Sequence, residues 1–453
     1  MATKTSFRIG KVRGDLRGKV WYLTYQENGR RQRPRVGSQL KEAKQLASQI
    51  NSQLELGAPA LLSFEALCLK ELQKRWLEHH EHVLRSSLQT INRYRTATEH
   101  LLRFLEKTNA PLTTSHFRTV HAEQFVRYLR TIEVSPNGHP NSPKRPLMDK
   151  GIKYILECCR SLFNFAKKRR YLSPYAENPF SALDLDRIPV ENVKQVTLFD
   201  ENQERAFLQA CDEWQFPVFA TLMMTGLRPG ELTHLLVPDD LDLNAGLLRV
   251  RNKPELDWRV KTRNEREIPL VRPLIKILTV LLDGRNKGVV FQRRRFCGVS
   301  TPNPSLLAED AMIGELKVRM RQAQPEKSSA LSRKQRSKIA RGVWKDAGLI
   351  KTEMIRKEFM RLTSKIGLRE LTAPKMLRHL FATTLQEGNV DPLVRCELMG
   401  HSIAATQNAS HGLGMTANYT QTRLETKRVQ LEEALKRRPC WDCSDLVRVG
   451  KGS

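Results

Sequence analysis

The stretch LTAPKMLRHLFATTLQEGNVDPLVRCELMGHS, residues 371–402, decides how this chain is read. Pro374 suits a helix start, because the first helical N–H has no intrahelical partner to lose. Arg378 and His379 follow on that helix, and Gly388 suits the turn that ends it. A second helix closes at Met399-Gly400-His401. Two helices broken in this way bring Arg378 and His401 near one another. Taken alone the pair decides little, since a histidine so placed is usually a core residue.

Three further patterns give it context. In TGLRPGEL, residues 225–232, Gly226 and Pro229-Gly230 impose a tight turn with Arg228 inside it. An arginine there can present a planar five-donor fork to a phosphate, and Glu231 is spaced to hold it. In VRNKPELDWRVKTRNEREIPL, residues 250–270, the segments LLRVRN and REIPLV read as antiparallel strands, with Lys261 at the tip between them. In GMTANYTQTR, residues 414–423, Tyr419 sits in a short polar segment ahead of the amphipathic helix TKRVQLEEALKRR. An isolated tyrosine or hairpin lysine is ordinarily packing or solvated surface. In this order and spacing, the four patterns resemble the tyrosine recombinases, or phage-type integrases. The Arg378-to-His401 interval of 23 residues is similar to that family's. The resemblance is strong over the last domain and looser over the rest.

The resemblance implies a set of roles. Arg228 and Arg378 would clamp the non-bridging oxygens of the scissile phosphate. Lys261 would protonate the leaving 5′ oxygen, His401 would donate to the phosphate, Tyr419 would be the nucleophile, and Glu231 would support Arg228. Fixed cations and donors suit a reaction that builds negative charge on phosphoryl oxygens. They also suit a phenol of pKa about 10, of which about one part in a thousand is ionised at neutral pH. With those fixed cations no metal is expected, and because a covalent 3′-phosphotyrosyl link conserves the bond energy, no nucleotide cofactor is expected either. One position departs from the family: Lys375 stands where a histidine is usual, three residues before Arg378, and is read as a phosphate donor. The 18 residues from His401 to Tyr419 are also more than the family pattern has.

Outward from this core, KVWYLTY (19–25) reads as a strand, Asn28-Gly29 as a hairpin turn and RQRPRVG as its return. Ser38 is placed to cap a helix carrying Leu40, Ala43, Ala47, Ile50 and Leu54. Arg30, Arg31, Arg33 and Arg35 ring the hairpin and are candidate DNA contacts. Residues 64–185 are patterned as helices: one with Phe64, Leu67, Leu72 and Trp76, a long one over Leu88–Leu105, one over Val120–Ile132 and one over Ile152–Ala166. Ser135 to Pro146 reads as a loop. Lys167, Lys168, Arg169 and Arg170 close the last helix, suiting its dipole and able to touch phosphate. The fold expected is mainly α with small β elements. It comprises an arm-type module over 1–56, a helical core-site-binding domain over 64–185, a catalytic domain over 197–436 and a tail over 437–453. A basic insertion at about 300–345 is expected to be flexible or partly helical.

The composition fits. A net charge of +29 over 453 residues asks for a polyanion, and the cations are spread along the whole chain. Double-stranded DNA is the expected partner. The resemblance adds a tetramer on DNA and accessory DNA-bending or directionality proteins. The longest apolar run, Phe216 to Met224, is far short of the ~20 residues a membrane helix needs. The start MATKTSFRIGKVRG lacks a signal peptide's apolar stretch, and eight scattered cysteines do not form a secreted disulfide framework. A cytoplasmic, nucleoid-associated protein of prokaryotic or phage context is expected, with no membrane partner. Cys440 and Cys443 make at best half of a zinc motif. The expected function is a site-specific recombinase that integrates or excises a mobile element. The alternatives are a type IB topoisomerase-like relaxing enzyme and a non-catalytic DNA-binding regulator that keeps the fold.

Overall fold

A computed structural model describes residues 5–27, 29–57, 60, 62, 64–135, 141–173, 176–189, 197–296, 302–324, 330–401 and 422–442. The chain divides into two compact units, Met1–Val193 and Lys194–Ser453.

The first unit begins with an antiparallel sheet in the order β1-β2-β3-β4: Ser6–Ile9, Val12–Arg17, Val20–Glu27 and Arg30–Gln32. β5 (Arg35–Gly37) also pairs with β3, on the edge opposite β2, past Pro34. The β3 strand alternates strictly, burying Trp21, Leu23, Tyr25 and Glu27. Helix α1 (Leu40–Glu55) covers that face with Ala43, Ala47 and Ile50. Its N-cap is Gln39, without a side-chain cap bond, so Ser38 does not cap it. Strands β1 and β2 were not anticipated from the sequence.

The helical part that follows comprises α2 (Leu69–Glu78), α3 (Leu88–Thr108), α4 (Thr119–Thr131) and α5 (Asp149–Lys168) around Trp76, Phe104, Phe125, Phe163 and Phe180. Phe64 and Leu67 lie before α2 rather than on it. The extended chain there bonds to the segment after α3, with Leu69 N donating to Leu112 O and Thr114 N to Leu67 O, both at 2.8 Å. The Ser135–Pro146 loop is bracketed by a two-residue ladder, β6 (Glu133–Val134) with β7 (Arg145–Pro146).

The second unit is built around α7 (Gln215–Thr225), every residue of which is buried. The long apolar run of the sequence is thus a core helix. Around it lie α6 (Glu201–Ala210), α8 (Pro229–Thr233), α9 (Arg272–Leu282), α12 (Thr352–Lys365), α13 (Lys375–Glu387), α14 (Pro392–Met399), α15 (Leu424–Leu435) and α16 (Pro439–Asp442). A three-stranded antiparallel sheet, β11-β10-β9, flanks them, with β10 (Leu247–Val250) pairing β11 (Arg266–Pro269) so that Leu248 opposes Ile268. The other neighbour of β10 is β9 (Leu241–Asp242). A short ladder joins β8 (Leu236–Val237) to β12 (Gly288–Val289).

The basic insertion is a helical pair, α10 (Glu309–Gln322) and α11 (Arg333–Asp346). Met312, Leu316, Ala340, Val343 and Trp344 form a second small core with Leu236, Leu256 and Val289. Leu431 and Leu435 of α15 pack within their own unit, while Val429 is exposed. Cys440 is buried there too; Cys443 lies outside the described residues. No helix among the described residues is long and apolar enough to cross a membrane, and no group of three metal-ligating side chains is assembled among them.

Candidate active site

The site grows from two glycine-dependent turns. Gly226 ends α7 at φ +60°, and a Cβ there would collide with the Phe381 ring of α13. That close approach brings the Arg228 turn against the helix bearing Arg378. Gly400 ends α14 at φ +62°, where a Cβ would stand 2.8 Å from Arg266 Nη1. The second turn therefore closes onto the sheet and carries His401.

Arg378 is 6% exposed and stitches these segments together. Its Nη1 donates to Gly226 O at 2.6 Å, its Nη2 donates to Met399 O, and Nη2 lies 3.3 Å from His401 Nε2. Arg228 occupies the N-cap position of α8. Its backbone N–H donates to Glu231 Oε2 at 3.0 Å and its Nη1 to Glu231 Oε1 at 2.6 Å. Pro229 at the first helical position fixes this geometry. The spacing of Arg228 and Glu231 is thus one helical turn used as a clamp.

A third guanidinium completes the cluster. Arg266, on β11, donates from Nη2 to Glu231 Oε2 at 2.7 Å and from Nε to Leu398 O at 2.9 Å, with its side chain 5% exposed. Among the described residues its buried Nη1 has no hydrogen-bond partner. Sequence reasoning passed over Arg266. The available signal was its phase on the strand: two residues before the buried Ile268, it shares the inward face.

The charges do not balance. Among the described residues, Arg228 and Arg266 share the Glu231 carboxylate while Arg378 is held by carbonyls, and the ionisations respond. Burial and then the Arg228 charge push Arg378 down to about 10. Burial, with Arg378, Arg228 and Arg266 nearby, also lowers His401 below its ordinary value. For Glu231 burial works the other way, yet the bonds and charge of Arg266 and Arg228 hold its carboxyl below the usual range.

Neither Lys261 nor Lys375 has a bond to this cluster among the described residues. Lys261 is exposed in the β10–β11 connection and has no bonded partner among the described residues; its neighbour Thr262 donates to Gly400 O at 3.4 Å, beside His401. Lys375 is exposed at the first position of α13, one turn before Arg378. Tyr419 lies outside the described residues. In the first unit Arg30, Arg31, Arg33 and Arg35 are exposed, as are Lys167, Lys168 and Arg169. Arg170 has structural partners: its Nη1 donates to Ala60 O at 3.1 Å and its carbonyl accepts from Glu65 N.

A second ionic cluster supports the Lys261 connection. Lys253 Nζ is 2.7 Å from Asp240 Oδ2, and Arg251 Nε is 2.7 Å from Asp240 Oδ1, with Arg251 also bonded to Glu309 of α10. Trp258 stacks on His234 (centroids 4.7 Å apart), and Trp344 of α11 meets the same imidazole edge-on. Trp344 Nε1 donates to Leu256 O at 3.0 Å. The inserted helices therefore clamp the loop that leads to Lys261.

Residues 197–411 match the phage integrase family. No curated protein matches the chain. Among solved structures, the Tn1549 transposon integrase in complex with transposon right end DNA is 17% identical at TM-score 0.50, covering 81% of this chain and 99% of that one. A lambda integrase dimer bound to a COC′ core site is 16% identical at TM-score 0.47, covering 87% and 95%. Residues 197–411 thus align in sequence with the phage integrase family, and the fold is similar to that of an integrase of known structure.

Proposed function

We propose that this chain is a site-specific DNA recombinase that cuts and rejoins strands through a 3′-phosphotyrosyl intermediate on Tyr419, integrating or excising a mobile element. The observation that carries the reading is the unbalanced cluster: Arg228, Arg266 and Arg378 against Glu231 alone. A phosphodiester anion is the ligand such a cluster lacks. Arg228 and Arg378 hold its non-bridging oxygens, His401 donates to one of them, and Lys375 supplies a further cation at the helix start. The Tyr419 oxygen attacks phosphorus, the bond to the 5′ oxygen breaks, and Lys261 delivers the proton that oxygen needs. Reversal by another strand's 5′ hydroxyl reseals the backbone with no external energy source. Guanidinium groups already held by carbonyls and Glu231 need no reorganisation when charge develops.

The domain roles belong to the same proposal: 1–56 engages arm-type DNA through its arginine-ringed hairpin, 64–185 grips the core site with the basic end of α5, and 197–436 carries the chemistry, followed by a 437–453 tail. The Tn1549 integrase of similar fold is bound to transposon end DNA, which favours a duplex partner here. Exchange between two duplexes requires four strand cuts and hence four protomers, assembled in the cytoplasm with accessory DNA-bending or directionality proteins.

Covalent trapping on a pool of randomised, nicked duplexes tests this. Wild type should leave denaturation-resistant adducts at a preferred sequence, and Tyr419→Phe none. Adducts without sequence preference, with relaxation of any supercoiled plasmid, would favour the topoisomerase; tight binding without adducts would favour the regulator.

A further inference from the structure

Helix α11 carries six basic residues, Arg333, Lys334, Arg336, Lys338, Arg341 and Lys345, and one acidic residue, Asp346. Its buried side, Ala340, Val343 and Trp344, is fixed against the second core. On the open side Lys334, Lys338, Arg341 and Lys345 recur at i, i+4, i+7 and i+11, and all four are exposed. At 1.5 Å per residue they form a row roughly 16 Å long. None of the four has a carboxylate partner among the described residues; Arg341 Nε donates to Ser337 O, and Asp346 is taken by Arg319 at 2.8 Å.

Folding does not ask for this row. Like charges three or four apart on a helix repel, and cations in a first turn oppose the helix dipole. Several helix cations elsewhere in the unit are matched: Lys427 with Glu397, Arg356 with Glu353, Arg361 with Glu358. Yet α11 is firmly held. Ser332 and Gln335 form a reciprocal cap, and Trp344 is bonded to Leu256 O. The result is a rigid, evenly spaced line of cations with no apolar residue inside it, unlike the core of a protein–protein contact.

We infer that α11 binds the sugar-phosphate backbone of duplex DNA, adding a contact surface inside the catalytic unit. At about 3.4 Å of axis per phosphate, the row spans about five phosphates of one strand. Such contacts set position and register without reading bases. The inference rests on the recombinase reading for the presence of DNA, not for its own geometry.

The test compares full-length wild type with K334Q/K338Q/R341Q/K345Q and with the charge-keeping K334R/K338R/R341K/K345R on one trapped duplex. Binding is followed from 50 to 200 mM salt, with hydroxyl-radical footprints alongside. At ~0.9 per neutralised phosphate, the glutamine variant should lose about 3 to 4 from the slope of log affinity against log salt. It should also lose protection over one short backbone stretch, while the charge-keeping variant retains both. A slope change below about one unit, or uniform weakening with an unchanged footprint, overturns the inference. Wild type that forms Tyr419 adducts while the glutamine variant keeps slope and footprint defeats this inference alone. Wild type that does not bind duplex DNA defeats it together with the recombinase reading.

Discussion

Two buried ionic clusters in the same unit have opposite designs. Around Asp240 the charges cancel: Lys253 and Arg251 face Asp240 and Glu309, and every group has a partner. Around Glu231 they do not, among the described residues: Arg228 and Arg266 share one carboxylate, Arg378 is held by carbonyls, and Arg266 keeps a buried N–H without an acceptor. A balanced cluster costs desolvation and returns it as a fixed geometry. An unbalanced one persists only if it is filled in use. On the proposed function, the difference is that between a support and a phosphate-binding site.

The contrast is breakable, and the largest effect belongs to the support. Asp240→Ala strands Lys253, whose side chain is 1% exposed, and should cost about 3–5 kcal/mol of stability in urea unfolding. A loss below about 1 kcal/mol would show that the cluster relaxes onto water.

Arg378→Ala should behave the other way. It takes the donors from Gly226 O and Met399 O but relieves repulsion in the free protein, so the net loss of stability should stay at about 1 kcal/mol, while strand cleavage falls about 10²–10³-fold. Equal loss of stability and activity would make Arg378 a structural residue.

Next is His234, which burial pushes down to about 3. The neutral folded form then contributes stability above pH 6.5, and this is lost as pH falls toward 3 because the unfolded chain takes up the proton first. From pH 7 to pH 4 the loss should be about 3 kcal/mol, and His234→Phe should flatten that slope. The same acid slope in the variant would exclude His234 as its cause.

The smallest effect tests the clamp on the Lys261 loop. Trp344→Phe keeps the ring against His234 but removes the donor to Leu256 O, at a cost of about 0.5–1.5 kcal/mol. Cleavage should fall more than this stability loss explains; an activity untouched by the change would uncouple α11 from the loop.

Most of the site's frame was legible because it is written in local signals. Pro374, Gly388 and Gly400 punctuate α13 and α14, and the β10–β11 pairing follows from two short β-rich runs. Arg266 was not legible because its role depends on Glu231, 35 residues away. The segment holding Phe64 and Leu67 pairs with residues after α3, a contact no local pattern announces. Helices α10 and α11 pack through few and partly small side chains, such as Ala340, so their composition resembled a solvated insertion. Strand β1 is only four residues long, and β2 sets Gly14 between Arg13 and Asp15, which weakens the β signal.

The central claim is that the Glu231 cluster is built to neutralise a phosphodiester charge. The most direct measurement replaces the scissile phosphate by an uncharged methylphosphonate and compares wild type with Arg378→Ala on both substrates. The account predicts a loss of about 10²–10³-fold from the substitution on phosphodiester and nearly none on methylphosphonate, where there is no anionic charge to hold. An equal loss on both would contradict it, and would assign Arg378 to holding the Gly226 and Met399 turns together rather than to the reacting phosphate.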